Sequence, residues 1–174
     1  MSRYVALLRA INVGGHTVAM RDLRLAFEAF GFTDVATVIA SGNVLFNTTA
    51  RDRDRLERRI ADALETEFGF PVATFLRTPD ELVAVLRDVP FDLADGDGLY
   101  IGFLSRALTA AEARAVQQFA TEGDEFAVRG RHLYWRRDGR MSDSKFTNAR
   151  FERALKIEAT FRNVTTVRKL AGSE

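Results

Sequence analysis

Two periodicities alternate along this chain, and their order is what most constrains its fold. Residues 3–9, 34–40, 43–47 and 72–77 read as strands, by alternation or as short apolar runs. Between them, apolar residues recur at helical spacing. Leu23, Ala26, Phe27 and Phe30 fall at i, i+3, i+4 and i+7, and Gly31 follows as a natural helix-ending residue. Leu56, Ile60, Leu64 and Phe68 form a second stripe across residues 52–68, closed by Gly69. Up to residue 77 the order is therefore β-α-β-β-α-β, the split βαβ pattern called ferredoxin-like. Its two crossovers contain helices, and its central hairpin is expected to turn tightly at Ser41-Gly42-Asn43.

Two capping boxes announce the next helices. Thr78-Pro79-Asp80-Glu81 supplies an N-cap, a proline at the first helical position and a carboxylate at the third; Thr109-Ala110-Ala111-Glu112 repeats the cap and the carboxylate. Pro90 and the segment Phe91–Gly98, with its three aspartates and two glycines, read as a loop and boundary. This divides the chain near residue 90, with a ferredoxin-like subdomain and its linking helix in 1–90 and a second α+β subdomain with C-terminal helices in 91–174. Strands expected at 99–104, 124–129 and 131–136 make the second half β-α-β-β-α-α, a related pattern with a helix in place of the last strand. The fold class is α+β, and the halves share little sequence identity.

Composition removes several functions. Of the 174 residues 47% are hydrophobic, enough for a core, but no apolar run approaches the roughly 18 residues of a membrane span. The N-terminal apolar stretch is too short for a signal peptide and reads as the first strand. The absence of cysteine excludes disulfides, thiolate metal sites and a cysteine nucleophile, and fits a cytoplasmic protein. His16 and His132 are far apart, with no carboxylate at zinc-ligand spacing, so no metal or cofactor is expected. The net charge of +1 hides a polarity: residues 1–128 carry 13 Lys+Arg against 19 Asp+Glu, residues 129–174 carry 12 against 5. A basic C-terminal third suits an anionic partner.

Four segments hold candidate binding residues. Arg9-Ala10-Ile11-Asn12-Val13-Gly14-Gly15-His16 lies between the first strand and first helix, where paired glycines free the backbone and a helix N-terminus favours an anion. It is neither a Walker A loop nor GxGxxG. Ala40-Ser41-Gly42-Asn43 presents Ser41 and Asn43 at a hairpin tip, while the pairing of glycine with asparagine also suits a plain turn. In Ser142–Asn148, Thr147 and Asn148 continue the inward stripe of a helix carrying Phe151, Ala154 and Leu155, so they bond backbone or line a cavity; Lys145 adds a cation. In Thr160–Val167, Asn163 or Thr165 could cap a short last helix, with Arg162 beside it as an anion anchor or salt-bridge partner. Tyr134-Trp135-Arg136-Arg137 mixes aromatics with arginines, as single-strand platforms and packed sheets both do.

Taken in order, Val5–Gly15, Met20 with Asp22-Leu23, Ser41-Gly42-Asn43-Val44, Arg77-Thr78 with Glu81-Leu82, Ser144-Lys145 with Thr147-Asn148, and Arg162–Val167 resemble the bacterial domain-of-unknown-function family 1697. Phe146 departs from that pattern, where leucine is usual. The resemblance implies an α+β protein of two small subdomains and no established activity. Its polar positions suggest one cleft between the subdomains for a small phosphate-bearing ligand. Arg9 and Arg162 would be charge anchors there, Gly14 and Gly15 backbone donors, and Asn12, Ser41, Asn43, Lys145, Asn148 and Asn163 polar contacts. The alternatives are nucleic-acid binding through the basic C-terminal third and a protein-interaction module without ligand. No general base stands out, so no reaction is assigned.

Overall fold

The computed structural model describes residues 1–172. By its contacts the chain divides between Val83 and Ala84, inside the third helix, and the described residues from Arg168 on group with the first unit. Mixed helices and antiparallel sheets make it an α+β protein. No helix among the described residues is long and apolar enough to cross a membrane.

The first unit holds β1 (Ser2–Leu8), α1 (Met20–Ala29), β2 (Thr33–Thr37), β3 (Asn43–Thr48), α2 (Arg53–Phe68) and β4 (Thr74–Arg77). Its sheet order is β2-β3-β1-β4 with antiparallel neighbours throughout, so each helical crossover skips one strand. The helical stripes explain why the crossovers pack where they do: α1 buries Leu23, Ala26 and Phe27, and α2 buries Leu56, Ile60 and Leu64. They close over Tyr4, Ala6 and Leu8 of the central strand, with Val44 and Phe46 beside them. Each such large apolar side chain contributes roughly 1.5–3 kcal/mol on full burial. Asp52 caps α2 by accepting from the Arg55 backbone N at 3.0 Å, and Gly69 ends it in the left-handed conformation.

The capping box expected at Thr78 forms. Thr78 Oγ1 accepts from Glu81 N at 3.2 Å, and Thr78 N donates to Glu81 Oε2 at 2.7 Å. It starts α3 (Pro79–Arg87). The box at Thr109 likewise forms and starts α4 (Ala110–Ala115), which runs into a 3-10 turn over Val116–Phe119.

The second unit contains β5 (Asp97–Leu104), α4, β6 (Asp124–Arg129), β7 (His132–Asp138), α5 (Asn148–Leu155), β8 (Ala159–Asn163) and the start of α6 (Val164–Leu170). A helix was expected in place of its last strand, and here the structure differs: Ala159–Asn163 is a strand, paired antiparallel with β5 from Tyr100↔Asn163 to Leu104↔Ala159. The sheet order β6-β7-β5-β8 therefore repeats that of the first unit strand for strand. Only α6, which follows β8 without an intervening turn, matches the helix read there. Phe146 sits among aromatics, its ring centroid 4.7 Å from Phe126, 4.9 Å from Trp135 and 5.3 Å from Phe119.

A buried carboxylate organises one end of this sheet. Asp124, 1% exposed, accepts from Trp135 Nε1 (2.9 Å) and Ser144 Oγ (2.9 Å) on one oxygen, and from Thr121 Oγ1 (2.8 Å) and Arg137 Nη1 (3.0 Å) on the other. Desolvation pushes its pKa up, but the hydrogen bonds from Trp135, Thr121 and Ser144 and the charge of Arg137 outweigh it, and the net shift is downward. Stability from a depressed carboxylate is present above its unfolded pKa and lost as pH falls through the folded one. Asp124→Asn should therefore cost about 3 kcal/mol at neutral pH, since it strips the partly buried Arg137 guanidinium of its partner. Urea unfolding of both proteins as a function of pH should show this difference shrink in acid, as the wild-type carboxylate protonates.

Candidate functional site

Of the ten residues singled out for binding, six lie in the first unit, on the β1–α1 connection and the β2–β3 loop. These two loops meet. Asn12, at φ 58°, places its side chain between them: Nδ2 donates to Ala40 O at 2.8 Å and Oδ1 accepts from Val18 N at 2.8 Å. Both ends of the amide thus tie main chain together, so Asn12 positions the loop. The loop closes on itself through Asn12 N to His16 O (2.8 Å) and His16 N to Val13 O (3.3 Å). The His16 ring stacks on Phe70 with centroids 4.2 Å apart. Arg9 enters the loop half-buried, its backbone N donating to Ala73 O at 3.0 Å.

Gly14 and Gly15 occupy the exposed part of this loop at φ 63° and 87°, with nothing within 4 Å of where a Cβ would stand. Their N–H groups find no protein acceptor among the described residues. The loop then runs into α1, whose N-cap, Ala19, offers no side-chain acceptor to the first turn; Asp22 is the acid in that turn. Free N–H groups before and at a helix N-terminus are the ordinary materials of an anion site.

The β2–β3 connection is longer than the tight turn expected, running from Val38 to Gly42. Asn43 is not exposed at its tip. It is fully buried as the first residue of β3, and its amide donates to Val38 O and to Ser41 Oγ, both at 3.0 Å, holding the loop from inside. Ser41 remains exposed. The sequence marks Gly42 as a turn glycine suited to positive φ, but not the close packing around it. Gly42 has φ 77°, its carbonyl accepts from Leu8 N at 2.8 Å, and a Cβ there would stand 3.1 Å from Ile11 Cβ and 3.2 Å from Leu8 Cβ. Ile39, a β-branched residue at φ 59°, is 44% exposed on the same loop. Such a conformation is strained for its side chain.

The other four candidates belong to the second unit, and local structure accounts for most of their polar atoms. Asn148 Nδ2 donates to Ala159 O at 2.7 Å, while its Oδ1 is buried without a hydrogen-bond partner. Thr147, beside it, is the α5 N-cap. Asn163 Oδ1 accepts from Thr166 N at 2.8 Å and so caps α6. Arg162 is buried on β8; its Nη1 donates to Thr160 Oγ1 (2.7 Å) and to Phe161 O (2.9 Å). Burial lowers its pKa to about 10, which still leaves it charged at neutral pH. Lys145 is exposed, and its carbonyl accepts from Arg150 Nη1 at 2.7 Å.

The aromatic-arginine run resolves into packing. Tyr134 and Trp135 are each 1% exposed, so neither offers a stacking face, and Arg136 and Arg137 pair with Asp97 and Asp124. Tyr134 donates its hydroxyl to Val85 O at 2.7 Å, and burial pushes its pKa up to about 12. Among the described residues no group of three or more His, Asp or Glu could hold a metal ion.

The strain in the β2–β3 loop can be measured. Ile39→Asn is expected to stabilise the protein by about 1 kcal/mol, since asparagine tolerates the left-handed region. Gly42→Ala should cost about 2 kcal/mol, through the positive φ and the contacts with Ile11 and Leu8. Denaturant midpoints of the two variants check both signs.

Comparisons with known proteins extend these observations. The chain is similar to "conserved bacterial protein SP0830 from Streptococcus pneumoniae", a solved structure with which it shares 25% identity and a TM-score of 0.76, covering 99% of this chain and 97% of that one. No curated protein matches it. Residues 1–134 match the family model described as "Protein of unknown function (DUF1697)". This match spans the glycine loop, the β2–β3 loop and both capping boxes, and the chain belongs to that family.

Proposed function

We propose that the protein binds a small anionic, phosphate-bearing ligand at the β1–α1 loop of its first unit. One observation carries the reading: the exposed N–H groups of Gly14 and Gly15 are unused among the described residues and lead into a helix whose first turn has no side-chain cap. A phosphate at that position accepts from several main-chain donors and meets the positive end of the helix dipole. Asn12 and the stacked His16 hold the loop in shape beforehand, which reduces the ordering cost of binding. No side chain of the loop is placed as a general base, so the reading is one of recognition without an assigned reaction.

A second reading draws on a different observation. Val13 is 65% exposed and Ile39 44% exposed on the two joined loops, and apolar side chains at loop tips suit a protein partner. Amide NMR titration with inorganic phosphate separates the two. The expected result is saturable shifts confined to Val13, Gly14, Gly15 and the first turn of α1. Unmoved loop amides would remove the anion reading and leave the protein-interaction one.

A further inference from the structure

Three adjoining hollows on the first unit share one side chain, Arg59. The largest, about 420 Å3, is lined by Ala50, Arg51, Asp52, Arg55, Leu56 and Arg59. Two others, about 280 Å3 each, are bounded by Arg59 together with Phe30 and Phe32. Arg55 and Arg59 stand one helical turn apart on α2, a rise of about 6 Å, and Arg51 continues the four-residue spacing just before the helix begins.

These arginines differ in how they are held. Arg59 is fixed: its Nη2 donates to Phe30 O at 2.7 Å, and its guanidinium carbon lies 5.4 Å from the centre of the Phe32 ring. Arg51 and Arg55 are exposed, and among the described residues their side chains have no acidic partner. The one carboxylate in the lining, Asp52, already accepts from the Arg55 backbone N as the helix cap. Three guanidinium groups thus face one engaged carboxylate around a cavity of small-molecule size. Guanidinium forks suit phosphate oxygens, and successive cations about one helical turn apart suit linked phosphates.

We propose that this hollow is a second anion site, independent of the glycine loop, and that it takes a diphosphate ester of the nucleoside diphosphate class. Its phosphates lie on Arg51, Arg55 and Arg59, and its apolar or aromatic part rests in the hollows bounded by Phe30 and Phe32. Among the described residues the side chains of Arg51 and Arg55 make no ion pair, so they can be replaced without removing a stabilising contact.

Calorimetric titration of the full chain with pyrophosphate, ADP and a short single-stranded oligonucleotide tests this. Pyrophosphate and ADP are expected to bind, ADP the more tightly. Arg51→Gln and Arg55→Gln should each weaken both by about tenfold, the effect of one lost charge-assisted hydrogen bond. Arg58→Gln, an exposed arginine of α2 outside the hollow, should leave both unchanged. Three results would overturn the proposal: no binding of either compound, an equal loss with Arg58→Gln, or binding of the oligonucleotide without pyrophosphate. Since the variants leave Gly14 and Gly15 intact, a failure here is distinct from a failure of the loop site.

Discussion

The amide of Asn12 is the contact on which the candidate surface depends. A loop with positive φ at Ala10, Asn12, Gly14 and Gly15 has little regular hydrogen bonding of its own, and left alone it would sample many shapes. Asn12 engages Ala40 O and Val18 N at once, and so fixes the loop to its neighbour and to the entry of α1. Gly42 completes the junction: its φ is positive, and a Cβ there would press on Ile11 and Leu8. Asp124 does comparable work in the second unit, drawing Thr121, Trp135, Arg137 and Ser144 onto one carboxylate. In both units an irregular segment is held by one short polar side chain; for Asp124, which is buried, the full set of partners is what burial requires.

The two units reach the same strand order with little shared sequence. What they share is the alternation of periods and the placement of crossovers, and those suffice to put the third strand beside the first and the fourth on its other side. The last strand was the weak point of the sequence reading. Ala159–Asn163 is only five residues long and passes straight into α6, with Asn163 both ending the strand and capping the helix. No turn signal separates the two elements. Pairing with β5 makes it a strand, and pairing between segments almost sixty residues apart leaves no local mark.

Polar residues in the segments that carry the family resemblance divide by what the fold does with them. Asn12, Asn43, Ser144, Thr147 and Asn163 close loops or cap helices. Gly14 and Gly15 keep their N–H groups exposed. Residue type could not separate these groups, because asparagine and serine suit turns, caps and ligands through the same hydrogen bonds. The arginine hollow shows the converse. The spacing of Arg51, Arg55 and Arg59 is visible in the letters, yet it reads as a solvated helix face until Phe30 and Phe32, contributed by another element, are seen beside it.

The sequence by itself determined the class of fold, most element positions, both capping boxes and the helix stripes, because period, cap chemistry and helix-ending glycines act within a few residues. It also marked the strand-to-helix glycine loop as a place where backbone could meet an anion. Only the tertiary structure decided that β8 is a strand, that Asn43 and Arg162 are buried, that Tyr134 and Trp135 face the core, and which donors remain unused. Those outcomes depend on which distant segments supply the partners, and a hydrogen bond once made inside the protein is no longer offered outside it.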